Sequence, residues 1–151
     1  VEGGYDRTGA RSPMQWDKGV NAGFSAASAQ KLYIPQDPDS HRPTVEAQLT
    51  DPDSQLRQVK TLISLRRTHP ALGNRSGITF VSTGAPKQAL AYERGCEQEQ
   101  LLVVLNPYRE AVTFPYAKAL GEPLYTFGGE ASQEGSTVSL NAVSAGIYRI
   151  K

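Results

Sequence analysis

One cysteine, one tryptophan, one methionine and two histidines among 151 residues leave little material for the commonest site chemistries. Cys96 has no partner for an internal disulfide, and no apolar run is long enough for a signal sequence or a membrane span. Both observations point to a cytoplasmic protein. Charge of either sign is also scarce in net terms. Sixteen basic residues stand against 15 acidic ones, a balance of +1, which argues against nucleic-acid and anionic-membrane partners. A nucleophilic triad needs a base beside its nucleophile, yet His41 falls in a loop and His69 at a helix end, where each reads as a surface or turn residue. No Cys, His or carboxylate cluster has metal-ligand spacing, and Gly3-Gly4 and Gly128-Gly129 lack the strand-to-helix setting of a phosphate loop. No metal or other cofactor is therefore expected. The only close aspartate pairs, Asp37/Asp39 and Asp51/Asp53, sit beside proline in turn or cap settings, where the carboxylate serves backbone N–H groups. No catalytic carboxylate pair is visible.

What is present falls into three parts. Residues 1–50 carry Gly, Pro, Ser, Asn and Asp at short intervals without sustained periodicity, which is loop chemistry. An arm this long is uncommon within a compact domain, and its Met14, Trp16, Phe24, Leu32, Tyr33 and Ile34 prefer burial. The arm is expected to have evolved against a surface outside this chain, and a start at Val1 rather than Met agrees with a fragment.

A helix is predicted over 52–68. Asp51 is placed as N-cap, Pro52 at the first helical position, and Arg66 and Arg67 in the last turn ahead of Pro70. Leu56, Val59, Leu62 and Ile63 form an apolar stripe whose burial would contribute roughly 1.5–3 kcal/mol per side chain, so the helix needs a partner surface. Arg66 falls inside that stripe and is expected to be partly covered.

From about residue 76 the pattern changes to short β-type runs. Strands are predicted near 78–82, 89–94, 101–106, 111–114, 123–127, 137–140 and 146–150. Leu101-Leu102-Val103-Val104-Leu105 lacks alternation, which predicts a central strand covered on both faces. The expected fold is mainly β: an antiparallel sandwich preceded by one amphipathic helix and a long irregular arm.

The run Arg11-Ser12-Pro13-Met14-Gln15-Trp16-Asp17, followed by Asn21-Ala22-Gly23-Phe24-Ser25, resembles the loop after the eighth barrel strand in α-glucosidases of glycoside hydrolase family 13. Thr is common there where Ser12 stands. Further similarities follow in order: Leu32-Tyr33-Ile34-Pro35 before Asp37-Pro38-Asp39, Val45-Glu46-Ala47-Gln48, Asp51-Pro52-Asp53-Ser54, and Leu62-Ile63-Ser64-Leu65-Arg66-Arg67 ahead of His69-Pro70-Ala71-Leu72.

The resemblance implies that residues 1–69 are the end of a (β/α)₈ barrel, with the loop at 1–50 and the last barrel helix at 52–68, and that 70–151 are a C-terminal β-sandwich. It further implies retaining chemistry on α-glucosidic bonds of oligosaccharides by carboxylates borne on an upstream barrel, leaving this chain non-catalytic and structural. An arginine of this loop reaches the non-reducing glucose in such enzymes. Arg7 and Arg11 both occupy matching positions, and with Gln15 they are the substrate-binding candidates. Trp16 can cover a sugar face, although it and Phe24 read first as anchors to the barrel. Two other readings stay open: a trehalose synthase or glucosyl-transferring relative, and a stand-alone carbohydrate-binding sandwich module. The expected partners are the upstream barrel of the same polypeptide, an α-linked oligosaccharide, and a second copy of the fragment, paired through its uncovered arm and helix.

Overall fold

The computed structural model of the protein describes residues 12–32, 34, 36–81 and 89–151. The chain divides into two units, Val1–Thr61 and Leu62–Lys151.

In the first unit, 3₁₀ turns at Val20–Gly23 and Ala29–Lys31 precede helix α1, Val45–Thr50. The expectation of pure loop up to residue 50 is thus corrected. Six residues are too few to display a 3.6-residue period, and α1 is held by its ends instead. Buried Thr44 caps it, its hydroxyl accepting from Ala47 N at 3.2 Å. Val45 N and Glu46 N donate to the carbonyls of Gln15 and Trp16, each at 2.9 Å.

Helix α2, Gln55–Thr68, begins later than its sequence suggests. Asp51 closes α1 and turns its carboxylate to Asp53 N at 2.9 Å, an Asx turn that competes with capping. Ser54 caps α2 in its place: the hydroxyl accepts from Arg57 N at 3.3 Å and donates to Gln48 O at 2.7 Å. Gln48 Oε1 accepts a further first-turn N–H, that of Leu56, at 2.9 Å. The stripe is amphipathic but uncovered, with Val59, Leu62 and Ile63 at 44%, 39% and 53% exposure. Arg66 is exposed too, contrary to expectation, because Val59, Leu62 and Ile63 beside it are themselves left open.

The second unit is an antiparallel sandwich. A 3₁₀ turn at Pro70–Leu72 leads into β1 Gly77–Phe80, β2 Leu90–Gly95, β3 Gln100–Asn106, β4 Val112–Pro115, β5 Leu120–Phe127, β6 Ser132–Glu134, β7 Thr137–Leu140 and β8 Ser144–Ile150. One sheet has the order β1-β2-β3-β8-β5 and the other β4-β7-β6. The chain therefore changes sheet four times, between β3 and β4, β4 and β5, β5 and β6, and β7 and β8. Strand β3 is central as expected, with Leu101, Leu102, Val103 and Val104 all buried. Leu102 and Val104 face the second sheet, packing with Ala91, Val112, Phe114, Val138, Leu140 and Tyr148. Leu101 and Val103 face outward, where Ala71 and Ile147 join them and Leu65 and Leu72 pack against them. Strand β5 carries Pro123 and two register shifts against β8, which a sheet edge tolerates. The short β6 was not anticipated, since three polar residues show no β pattern.

Asn106, 2% exposed, ties together two of these crossings, β3–β4 and β7–β8. Its amide nitrogen donates to Glu110 O at 2.8 Å and Asn141 O at 2.7 Å, while its amide oxygen accepts from Tyr108 N at 3.1 Å. Gly146 in β8 gives room to Tyr148: a Cβ there would stand 2.4 Å from the ring. Tyr148 Oη in turn accepts from Ala131 N at 2.6 Å.

Candidate functional site

The loop that carries the family resemblance folds on itself. Asn21, Ala22 and Gly23 have φ of 50°, 54° and 69°, a left-handed run that Asn and Gly adopt more readily than other residues. Ala22, 1% exposed, turns its carbonyl to Trp16 N at 2.8 Å and Asp17 N at 3.3 Å. Asp17 Oδ1 accepts from Gly19 N at 2.7 Å, and its second oxygen lies so near Gly23 that a Cβ there would approach to 2.4 Å. Asn21 completes the brace by donating to Ser25 O at 2.8 Å and Ala27 O at 2.7 Å. Of the three, Ala22 carries the backbone strain, and such strain collects at binding sites.

This brace fixes the segment on which Gln15 sits. The Gln15 carbonyl caps α1, while its side-chain Oε1 is buried with no hydrogen-bond partner among the described residues. An unmet buried acceptor costs about 1–3 kcal/mol. The two other buried side-chain atoms in that condition, Gln36 Nε2 and Arg42 Nε, also belong to the first unit; among the described residues the sandwich has none. The arm is where polar groups await a partner. Met14, Trp16 and Phe24 are 54%, 48% and 50% exposed, so their apolar surface is uncovered as well. Arg7 and Arg11 lie outside the described residues, and only Gln15 of the predicted trio has a described geometry.

Elsewhere the ionisable groups serve the scaffold. Asp37 and Asp39 accept from the backbone N–H groups of Asp39 and His41 at 2.9 and 2.8 Å, so this pair builds a turn, as Asp51 does with Asp53. His69 stands at the N-cap of the 3₁₀ turn Pro70–Leu72, in keeping with its turn reading, but away from the open surface. Its side chain is 16% exposed, and Nδ1 lies 2.7 Å from Glu99 Oε1, whose side chain is 8% exposed. Glu99 also accepts from Ala71 N at 3.3 Å and Arg149 at 3.4 Å, which leaves neither oxygen free for chemistry. The 30-residue separation of His69 and Glu99 hid this pair from local pattern reading.

Tyr116 and Tyr148 ionise with difficulty. Burial raises both, aided at Tyr116 by its hydrogen bond to Glu93 at 3.0 Å and at Tyr148 by the charge of Glu130. Both belong to the sandwich core. No group of three or more His, Cys, Asp or Glu residues among the described residues could hold a metal ion, and no helix there is long and apolar enough to cross a membrane.

A braced loop, two helices and an antiparallel sandwich thus follow one another along the chain. A family model described as the α-amylase catalytic domain matches residues 2–75. The chain is 34% identical over 128 residues to a trehalose synthase of Thermus thermophilus, covering 82% of this chain and 13% of that protein. It is 36% identical over 100 residues to an oligo-1,6-glucosidase of Parageobacillus thermoglucosidasius, covering 66% and 17%. Among solved structures, the trehalulose synthase MutB from Pseudomonas mesoacidophila MX-45 superposes with a TM-score of 0.81 at 27% identity, over 97% of this chain and 26% of that one. The chain belongs to glycoside hydrolase family 13, the α-amylase superfamily. It spans between 13% and 26% of the length of these relatives.

Proposed function

We propose that the longer polypeptide containing this chain is a retaining α-glucosidase-type hydrolase acting on α-glucosidic bonds of oligosaccharides. In this reading residues 1–69 close the barrel, 70–151 form the C-terminal sandwich, and the catalytic carboxylates lie upstream, so the isolated chain is inactive. The single observation that carries the proposal is Gln15: a buried amide oxygen with no partner among the described residues, on a braced loop, is available to accept from a sugar hydroxyl. Arg7 or Arg11, a few residues upstream, donates to the non-reducing glucose, and the half-exposed Trp16 ring covers a sugar face or meets the barrel. The single cysteine supports a cytoplasmic site of action. The uncovered arm and α2 support self-association of the isolated chain, which light scattering showing a monomer at high concentration would contradict.

A second reading, a trehalose synthase, is supported by similarity to enzymes of that name as well as to oligo-1,6-glucosidases. Incubating the whole polypeptide with isomaltose, maltose and trehalose, and following products by NMR, separates the two. Glucose released first as the α-anomer supports the hydrolase, and trehalose formed from maltose supports the synthase. Turnover of an aryl α-glucoside by the 151-residue chain alone would refute the upstream placement of the chemistry.

A further inference from the structure

Two donors of the first unit have no role in its scaffold. Gln36 Nε2 and Arg42 Nε are buried without a hydrogen-bond partner among the described residues. An unmet buried donor is costly, more so on a charged group, and it persists where a partner from outside the scaffold meets it. The turn around them is otherwise well tied. Arg42 N donates to Asp39 O at 3.1 Å, and its Nη1 donates to the carbonyls of Asp37 and Asp39 at 3.3 and 3.4 Å. Those bonds orient the guanidinium and leave Nε unused. The carboxylates of Asp37 and Asp39 are engaged by backbone N–H groups, and no ion pair among the described residues includes Arg42.

This turn adjoins the braced loop. Gln36 directly precedes it, and just beyond Arg42 the N–H of Val45 donates to the carbonyl of Gln15 at 2.9 Å, so the two segments meet at the start of α1. The unmet atoms are thus two donors, Gln36 Nε2 and Arg42 Nε, and one acceptor, Gln15 Oε1. A carboxylate or phosphate would suit Arg42 but be repelled by the Gln15 oxygen. Sugar hydroxyls, each of which both donates and accepts, satisfy all three. Gln36 and Arg42 stand on a later stretch of the arm than Arg7, Arg11 and Gln15, and so meet the neighbouring ring rather than the same glucose.

Resting on the α-glucosidase reading above, we infer that Gln36 and Arg42 bind the sugar on the leaving-group side of the scissile bond and set the preference for an oligosaccharide over a simple glucoside. The test compares kcat/KM of the whole polypeptide on two substrates. Phenyl α-glucoside has a leaving group without a hydroxyl to bind, whereas isomaltose or maltose, whichever the wild type cleaves, leaves as glucose. Gln36→Ala should lower kcat/KM on the disaccharide about threefold or more, and Arg42→Lys, which keeps the charge but removes Nε, about tenfold or more. Both variants should stay within about twofold of wild type on phenyl α-glucoside. Should Arg42→Lys fail to fold for want of its Nη1 bonds, Gln36→Ala leaves the turn intact and carries the test alone. Equal losses on both substrates would place the two side chains in the scaffold or against another part of the polypeptide, and no loss on either would leave them without contact to sugar. Each of those results overturns the assignment while the enzyme reading stands. A wild-type polypeptide that cleaves neither substrate ends both.

Discussion

Replacing Asn106 by alanine removes a side chain that ties together two of the sandwich's four sheet-crossing connections, β3–β4 and β7–β8. Three hydrogen bonds are lost, to Glu110 O, Asn141 O and Tyr108 N, at a site that is 2% exposed. At about 1 kcal/mol net per bond the variant loses roughly 3 kcal/mol, with more lost if the freed carbonyls stay dry. For a unit of this size each kcal/mol is worth about 4–8 °C of melting temperature, so the transition should fall by about 12–24 °C. Far-UV circular dichroism is the suitable probe, because the sole tryptophan, Trp16, lies in the other unit and its fluorescence would report the arm. Asn106→Asp adds a second readout. It keeps the acceptor for Tyr108 N but turns a carboxylate toward two carbonyl oxygens, so its own pKa is raised and the variant regains stability as pH falls through the carboxylate range. A loss below about 1 kcal/mol in Asn106→Ala, or an Asp variant indifferent to pH, would refute the pinning role.

Gly146→Ala drives a Cβ to 2.4 Å from the Tyr148 ring and should cost about 1–3 kcal/mol in urea denaturation; an unchanged midpoint would show that the ring moves freely. Tyr116 and Tyr148 keep their protons in the folded state above the ordinary value of 10.0, so stability is full below pH 10 and declines as pH rises beyond it. The double variant Tyr116→Phe, Tyr148→Phe should flatten that alkaline decline in a pH series of melts. Gly23→Ala strains a left-handed position and meets Asp17 Oδ2 at 2.4 Å. In the whole polypeptide it should lower kcat/KM for an α-glucoside about tenfold or more while leaving the sandwich melt unchanged, and a wild-type kcat/KM would detach the brace from substrate handling.

Much of the sandwich could be read from local pattern. The unbroken run Leu101–Leu105 specified a strand with no polar face, and such a strand is stable only between two layers. The apolar stripe of α2 announced a helix that wants a companion, and the motif from Arg11 to Phe24 carried the family. Other features depended on contacts between distant residues. Helix α1 is too short to show a period and exists because the carbonyls of Gln15 and Trp16, some thirty residues earlier, accept its first N–H groups. Asp51 and Ser54 are both good caps three residues apart, and Gln48 selected Ser54 by engaging its hydroxyl and the N–H of Leu56. His69 met Glu99, and Asn106 met Asn141, only once strands far apart in the chain lay side by side. Residue order along the chain carries propensity and periodicity, which are local quantities. A hydrogen bond between residues far apart in the chain depends on distance in space, and that distance exists only after the chain has closed.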